Sequence, residues 1–420
     1  TLSWKYVVSL YIKTFRPIAP ALSKTMMENK NNNGGFGGEE SSIDGDILAS
    51  ILSKLPLLDL DSACHVSKSW NRAVFFSLRR LKTMPWLFVY RQRRLPPCGM
   101  AAKAMAYDPK SDKWIELITA SPVEHVAAAR SSHSTLLYAL SPTKFSFSVD
   151  AFHLNWRHVV PPRVWRIDPI VAVVGKSLIV AGGVCVFEDD KLAVEFLDIE
   201  IGGGVWERCE SMPDFLWNSA SSTWLSVAAS SEKMYVTEKR SGMACSFDPE
   251  TRSWTELLDL SPVDEYGECK LYSRVIGSAG NRLIMAGITG KDYNPTGIEL
   301  WEIVSSESPM NLKFESIGSM PKACFDKLRG VDSDWPLTSI ALNAVGDMVY
   351  VHNTAETGEI VAAEIEEGKL CKWRTLRNAD ATWNRSDAGE RVIVACSNVS
   401  FSDLKSAFSD NLSFSVVSRI

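Results

Sequence analysis

The pattern of apolar and polar positions divides the chain near residue 84. Before that point the spacing is helical. Ile47, Leu48, Ile51, Leu52 and Leu55 recur at i, i+1, i+4, i+5 and i+8, which gathers them on one side of a helix. Asp44 or Asp46 is placed to cap its N-terminus, and Pro56 stops it. Asp59 opens a second helix carrying Leu60, Ala63, Cys64 and Val66. Ser67 or Ser69 opens a third, with Trp70, Val74 and Leu78 on one face. A unit of roughly 40 residues buries too little surface to stand comfortably alone, so its surplus apolar surface points to a partner.

After residue 84 the period changes to short apolar strands separated by turn residues. The runs are 86–90, 136–140, 178–183, 234–236, 283–287 and 348–351, followed by a last one at 391–396. Behind the first and fourth runs stands one repeated phrase. Tyr107-Asp108-Pro109 leads through a turn to Trp114-Ile115-Glu116-Leu117, and Phe247-Asp248-Pro249 leads to Trp254-Thr255-Glu256-Leu257. Pro presets the second turn position and Asp hydrogen-bonds forward, so the phrase reads as a hairpin between an aromatic strand and a Trp strand. Weaker copies place Trp156, Trp206, Phe314 and Trp373 in the same role, and the six anchors stand 42 to 60 residues apart. Six units, each a strand followed by an aromatic-to-Trp hairpin, are the signature of a β-propeller, with Trp114, Trp156, Trp206, Trp254 and Trp373 as blade-packing residues. The run at 391–396 has no Trp unit behind it. It is expected to complete the first blade beside residues 86–117, closing the ring and protecting an edge.

Both halves resemble known families. Asp46-Ile47-Leu48, Ile51-Leu52-Ser53, Leu55-Pro56, Leu60, Cys64 and Val66-Ser67-Lys68-Ser69-Trp70 resemble an F-box in order and spacing, departing from it at Ile43-Asp44, where the family usually has Leu-Pro. The competing reading of these residues is an ordinary amphipathic helical hairpin. The repeat is similar to kelch repeats, a strand ending in Gly-Gly followed by an aromatic and a Trp, although only Val180-Ala181-Gly182-Gly183 keeps both glycines. Together they resemble a plant F-box/kelch protein over about residues 43–400. The resemblance implies a mainly β fold, a six-bladed kelch-type β-propeller preceded by a small α-helical F-box. It implies an extension over 1–42, F-box helices and linker over 43–83, the propeller over 84–400 and a tail or last covering strand over 401–420. It also implies a substrate receptor of an SCF-type ubiquitin ligase, with no catalytic residue and no cofactor. Leu48, Ile51, Leu52, Leu55, Pro56 and Trp70 would meet a Skp-type adaptor, which joins cullin and RING subunits. Some proteins of this type select enzymes of phenylpropanoid and flavonoid synthesis, which gives the target class.

Target choice is expected in the connections between blades, where Trp217, Tyr266, Arg329 and Trp335 are the candidate anchors because interface energy concentrates in Trp, Tyr and Arg. The bland alternative is that Trp217 and Trp335 plug the ring or cover blade edges. Two other classes compete with the ligase receptor: a kelch scaffold acting outside any ligase, and a propeller enzyme. The six histidines offer no compact metal-ligand spacing, and no G-x-S-x-G elbow is present.

Composition adds little more. A net charge of −5 argues against a general nucleic-acid binder, and the basic cluster from Arg79 to Arg94 reads as a solvated face. Nine cysteines without C-x-x-C spacing fit reduced thiols in the cytoplasm or nucleus. By the same reasoning the sequons at Asn384, Asn398 and Asn411 carry no glycan. No apolar run is long enough for a membrane span. Residues 1–42 are expected to be unpacked. Their acid-poor opening reads either as a transit peptide or as an artefact upstream of a true start at Met26 or Met27.

Overall fold

The computed structural model describes residues 45–55, 57–78, 83–93, 98–118, 124–125, 129–200, 204–262, 270–291, 294–305, 312–330, 335–355, 358–366, 369–377, 390–409 and 413–417. The expectations for residues 1–42, Pro56 and Tyr266 fall outside them. The chain divides into two units, Thr1–Thr83 and Met84–Ile420.

In the first unit three helices span Gly45–Leu52, Leu57–Cys64 and Lys68–Leu78. The first two pack on the third. Leu48, Ala49 and Leu52 fill the interior from one side, Leu60 and Ala63 from another, and Ala73 and Val74 from the third helix. Of the two serines able to open the third helix, Ser67 does so: its hydroxyl accepts the Trp70 amide at 3.2 Å, the bond of an N-cap.

The second unit consists of six antiparallel sheets. Five of them are consecutive meanders of four strands, one with an added short strand at Leu258–Asp259, and their outermost strands carry or directly follow the aromatic anchors. The second to sixth blades begin with the inner strands Ala129–Ser131, Ile170–Val174, Leu225–Ala229, Lys270–Ala279 and Ile340–Val345. Each apolar run read from the sequence is the next strand out. The innermost strands carry no such signal in the sequence: Ala129-Arg130-Ser131 and Leu225-Ser226-Val227-Ala228-Ala229 are short, rich in small residues and lack the aromatic-to-Trp phrase.

The first blade is assembled from both ends of the unit. Glu390–Val399 is its inner strand and pairs along its whole length with Met84–Arg93, from Met84↔Val399 to Arg93↔Glu390. Cys98–Asp108 and Lys113–Ile118 follow outward. Beyond residue 400 the chain is no loose tail over its described part. A helix spans Phe401–Ser409, and Ser413–Val417 adds a fifth strand against Lys113–Ile118, covering the blade's outer edge.

The repeated phrase does in space what its spacing predicts. Tyr107 pairs with Trp114 across the hairpin with ring centroids 5.4 Å apart, and Phe247 with Trp254 at 5.1 Å. The Asp108 carboxylate accepts the Lys110 amide, and Asp248 accepts the Glu250 amide at 2.9 Å. Asp112 and Arg252 close the turns at positive φ. Several anchors also tie a blade to the preceding one. The Trp206 indole donates to the Val160 carbonyl at 2.8 Å, and the Trp254 indole to the Glu210 carbonyl at 3.1 Å. Trp114 and Trp206 are buried, whereas Trp156, Trp254 and Trp373 are half-buried.

Candidate functional site

The small helical unit keeps apolar surface that its own core does not use. Ile47, Val66, Phe75 and Phe76 are between 45% and 61% exposed. Ile51, Leu55 and Trp70 are half-buried. Leu48 and Leu52, expected to meet a partner, instead lie inside the unit at 4% and 0% exposure. The helical stripe names both kinds of residue equally well. Which of them turn inward depends on where the third helix packs, which spacing does not reveal.

In the propeller, antiparallel strands send the connections between blades to the same end as the loops between second and third strands. That end carries most of the exposed large apolar side chains near the third blade. Of twelve such residues among the described residues of the propeller, eight fall between Val160 and Trp224, a concentration that marks interaction surface. Trp165, Ile167, Phe187, Trp217 and Trp224 are its core, with Phe187 91% exposed.

The backbone under this patch is tightly fixed. The Gly183 amide reaches the Ala220 carbonyl, the Ile167 amide reaches the Gly183 carbonyl at 2.7 Å, and the Cys185 amide reaches the Trp165 carbonyl at 3.0 Å. Gly182 and Gly183 both have positive φ, and a Cβ on Gly183 would fall 2.1 Å from the Asp168 carbonyl carbon. The double glycine thus lets three connections converge without side-chain bulk. Asp168 holds them laterally: its carboxylate pairs with Arg130 and accepts both the amide and the hydroxyl of Thr223, at 3.0 and 2.8 Å. Burial would raise its pKa, but the hydrogen bonds from Ser222 and Thr223 and the Arg130 charge outweigh that and hold it below the usual carboxylate range.

Beneath the patch lies a buried ion pair. Arg166 Nη2 donates to Glu195 at 3.1 Å with both side chains almost fully enclosed, and Nη1 donates to the carbonyls of Gly182 and Ala193 at 2.7 and 2.9 Å. The Glu195 carboxylate also accepts the amides of Arg163 and Val164. Burial pulls the Arg166 pKa below its usual range while Glu195 opposes the shift. Arg166, on the connection between the second and third blades, is therefore an internal brace. Glu195, which the sequence reading passed over, was signalled by its place inside the apolar run Leu192-Ala193-Val194-Glu195-Phe196-Leu197. Replacing Glu195 by Ala alone is expected to destabilise the protein by about 3–5 kcal/mol, because it strands a buried guanidinium, whereas Arg166→Met with Glu195→Leu costs far less. Urea unfolding of the two single variants and the double variant measures the difference.

The four candidate anchors fare differently. Trp217 is half exposed within the patch, with the Lys191 ammonium 5.2 Å above its ring. Trp335 is 81% exposed on the connection between the fifth and sixth blades. Arg329 is half-buried at the end of the helix Lys322–Arg329, whose Phe325 and Leu328 enter the core. Trp165, Ile167, Phe187 and Trp224 join Trp217 only because separate connections converge.

Among the described residues no three His, Cys, Asp or Glu side chains form a cation-binding group. His153 bonds to Asp150 at 2.6 Å inside a turn, and His158 to the Ser146 hydroxyl at 2.9 Å on an outer strand. Burial pushes the Cys209 thiol up to about 11 and the Cys245 thiol up to about 12, so neither is a thiolate at neutral pH. No helix among the described residues is long and apolar enough to cross a membrane.

Comparison with known proteins places both units. Residues 41–77 match the F-box domain. The F-box/kelch-repeat protein At1g23390 of Arabidopsis thaliana is 77% identical over 386 residues, covering 91% of this chain and 97% of the relative. The structure titled "Structure of YjhT" aligns with 52% of this chain and 68% of its own, at 12% identity and a TM-score of 0.34. With three F-box helices, six blades and a relative this similar along nearly its whole length, the chain belongs to the F-box/kelch-repeat proteins.

Proposed function

We propose that this protein is the target-recognising subunit of an SCF-type ubiquitin ligase. The F-box docks a Skp-type adaptor that brings cullin and RING subunits, and the propeller holds a protein for ubiquitination and degradation by the proteasome. The observation that carries this reading is the apolar surface left on helices whose own core is already filled. Ile47, Ile51, Leu55, Val66, Trp70, Phe75 and Phe76 offer that surface, while Leu48 and Leu52 hold the helices that present it.

The propeller's part is to bind and orient. The rigid aromatic patch around Trp217, with Trp165, Phe187 and Trp224, suits protein recognition because large aromatic side chains on fixed backbone lose little entropy on binding. The protein itself catalyses nothing in this scheme; it raises the effective concentration of a target beside another enzyme's reactive centre. The target class suggested by family resemblance is an enzyme of phenylpropanoid or flavonoid synthesis, and the place of action is the cytoplasm or nucleus.

The test is affinity purification under proteasome inhibition, comparing the full chain with an Ile47→Lys, Leu55→Lys variant. The adaptor and cullin are expected to co-purify with the first and be lost from the second, with thermal melting unchanged. Retention of the adaptor by the double variant would remove the docking face from this assignment. Absence of the adaptor from the unmodified chain would favour a scaffold acting outside a ligase.

A further inference from the structure

A groove of about 610 Å³ opens on the rim of the propeller between the second and third blades. It adjoins the buried Arg166–Glu195 pair through the Arg163 amide, which Glu195 accepts, and it combines apolar and basic side chains where the patch is aromatic. Phe147, Leu197 and Trp206 form its floor, each 1% exposed. The Trp206 indole N–H is already engaged by the Val160 carbonyl, so that donor makes no polar demand on an occupant. Val160 and Val205 form its lips at 60% and 63% exposure.

Arg157 and Arg163 also line this space. Both are exposed, and among the described residues no ion pair is seen for either. Arg130, Arg166, Arg208, Arg252, Arg282 and Arg374 have carboxylate partners, and Arg274 donates to two carbonyls and a hydroxyl. The acid in the lining is Asp198, whose carboxylate accepts the Glu200 amide at 2.8 Å within its own turn. The neighbouring Glu200 is paired with Lys176 at 2.6 Å. The lining therefore carries two arginines to one carboxylate, next to an apolar floor.

We propose that this groove binds a small amphipathic anion, an aromatic or alkyl body carrying one carboxylate or sulfonate. The volume lies within the range of small-ligand sites, about 300–1,000 Å³. The apolar body would lie over Phe147, Leu197 and Trp206, and the anion would reach the forked donors of Arg157 or Arg163. The proposal does not depend on the ligase reading, since it concerns a different surface.

The test uses the full chain and two fluorescent probes of similar shape, anionic 8-anilinonaphthalene-1-sulfonate and uncharged N-phenyl-1-naphthylamine. The anionic probe is expected to bind saturably at one site. Its affinity should fall by at least about tenfold in the Arg157→Ser, Arg163→Ser variant, as loss of charge-assisted contacts requires. The uncharged probe should bind both proteins alike, and Val205→Asp should weaken both probes while melting stays unchanged. Equal binding of the anionic probe to the wild type and the double-Arg variant would overturn the proposal. So would parallel loss of both probes in the double-Arg variant, which would make the arginines part of the groove's architecture. Displacement of the sulfonate by a Glu-rich peptide, but not by excess 2-naphthoate, would assign the groove to an acidic protein segment and equally refute the small-ligand assignment.

Discussion

A chain ending at Gly389 is expected to lose its folded propeller altogether. The missing strand, Glu390–Val399, is the inner strand of the first blade and pairs with Met84–Arg93 throughout. It buries Ile393, Val394, Ala395, Cys396 and Val399, and on the other side of the pairing Trp86, Leu87, Phe88 and Val89 are fully buried. Removing it strips one face of a sheet core, opens the ring between first and sixth blades and leaves a long unpaired edge. It also removes an anchor near the axis, where the Cys396 amide bonds to the Ser134 carbonyl of the second blade at 2.8 Å. Losses of this kind together exceed the roughly 5–15 kcal/mol by which a native domain is stable. Circular dichroism and limited proteolysis should show an unfolded or aggregated product. A chain ending at Asp410 keeps the closed ring and loses only the strand Ser413–Val417 on the outer edge, so it should retain cooperative melting at a lower temperature. Cooperative melting in the Gly389 truncation would show that the first blade closes without its inner strand.

Acid should destabilise the propeller through two histidines. His352 is buried and His133 is half-buried with its Nε2 enclosed, and desolvation pulls each pKa down to about 4. In the unfolded chain a histidine titrates near 6.5, so between the two values the unfolded state binds protons that the folded state refuses. The stability they contribute is complete above pH 6.5 and is lost progressively as pH falls toward 4. By linkage each residue removes about 2 kcal/mol by pH 5 and about 3 kcal/mol by pH 4. His133 sits in a turn whose next residue, Ser134, accepts the amides of Ala344 and Cys396 from the sixth and first blades. Protonating His133 therefore stresses the seam of the ring. Urea midpoints measured from pH 7.5 to pH 5 should fall steeply in the natural protein. The fall should be shallower in His133→Phe and shallowest in a variant also carrying His352→Phe. Parallel pH profiles for all three proteins would assign acid sensitivity to other groups.

The comparison of sequence with structure is informative where they part. Asp108, Asp248 and their Trp partners were legible because an Asp-Pro turn and its flanking aromatics act over six or seven residues, and the hairpins form as that local chemistry requires. The inner strands of the second to sixth blades were not legible. Ala129–Ser131 holds its place mainly through neighbours from other blades: the Gln92 side chain accepts the Ala129 amide at 2.8 Å, and Arg130 pairs with Asp168. Short segments of small and polar residues acquire strand character from such contacts, without a periodicity of their own.

The sequence by itself determined the F-box helices, the Trp-anchored blade repeat and the ring-closing use of the run at 391–396, because helical spacing, turn chemistry and repeat period are local properties, while the folded sheets fixed the count at six. Tertiary structure alone decided which apolar residues of the F-box face outward and made Arg166, on a connection between blades, a buried brace. It also gathered Trp165, Phe187, Trp217 and Trp224 on one end of the third blade and set Arg157 and Arg163 beside an apolar groove. Each of these outcomes depends on which distant segments converge and what they exclude from water. A one-dimensional pattern names the side chains available for such a site; packing decides which of them remain unpaired, and beside what.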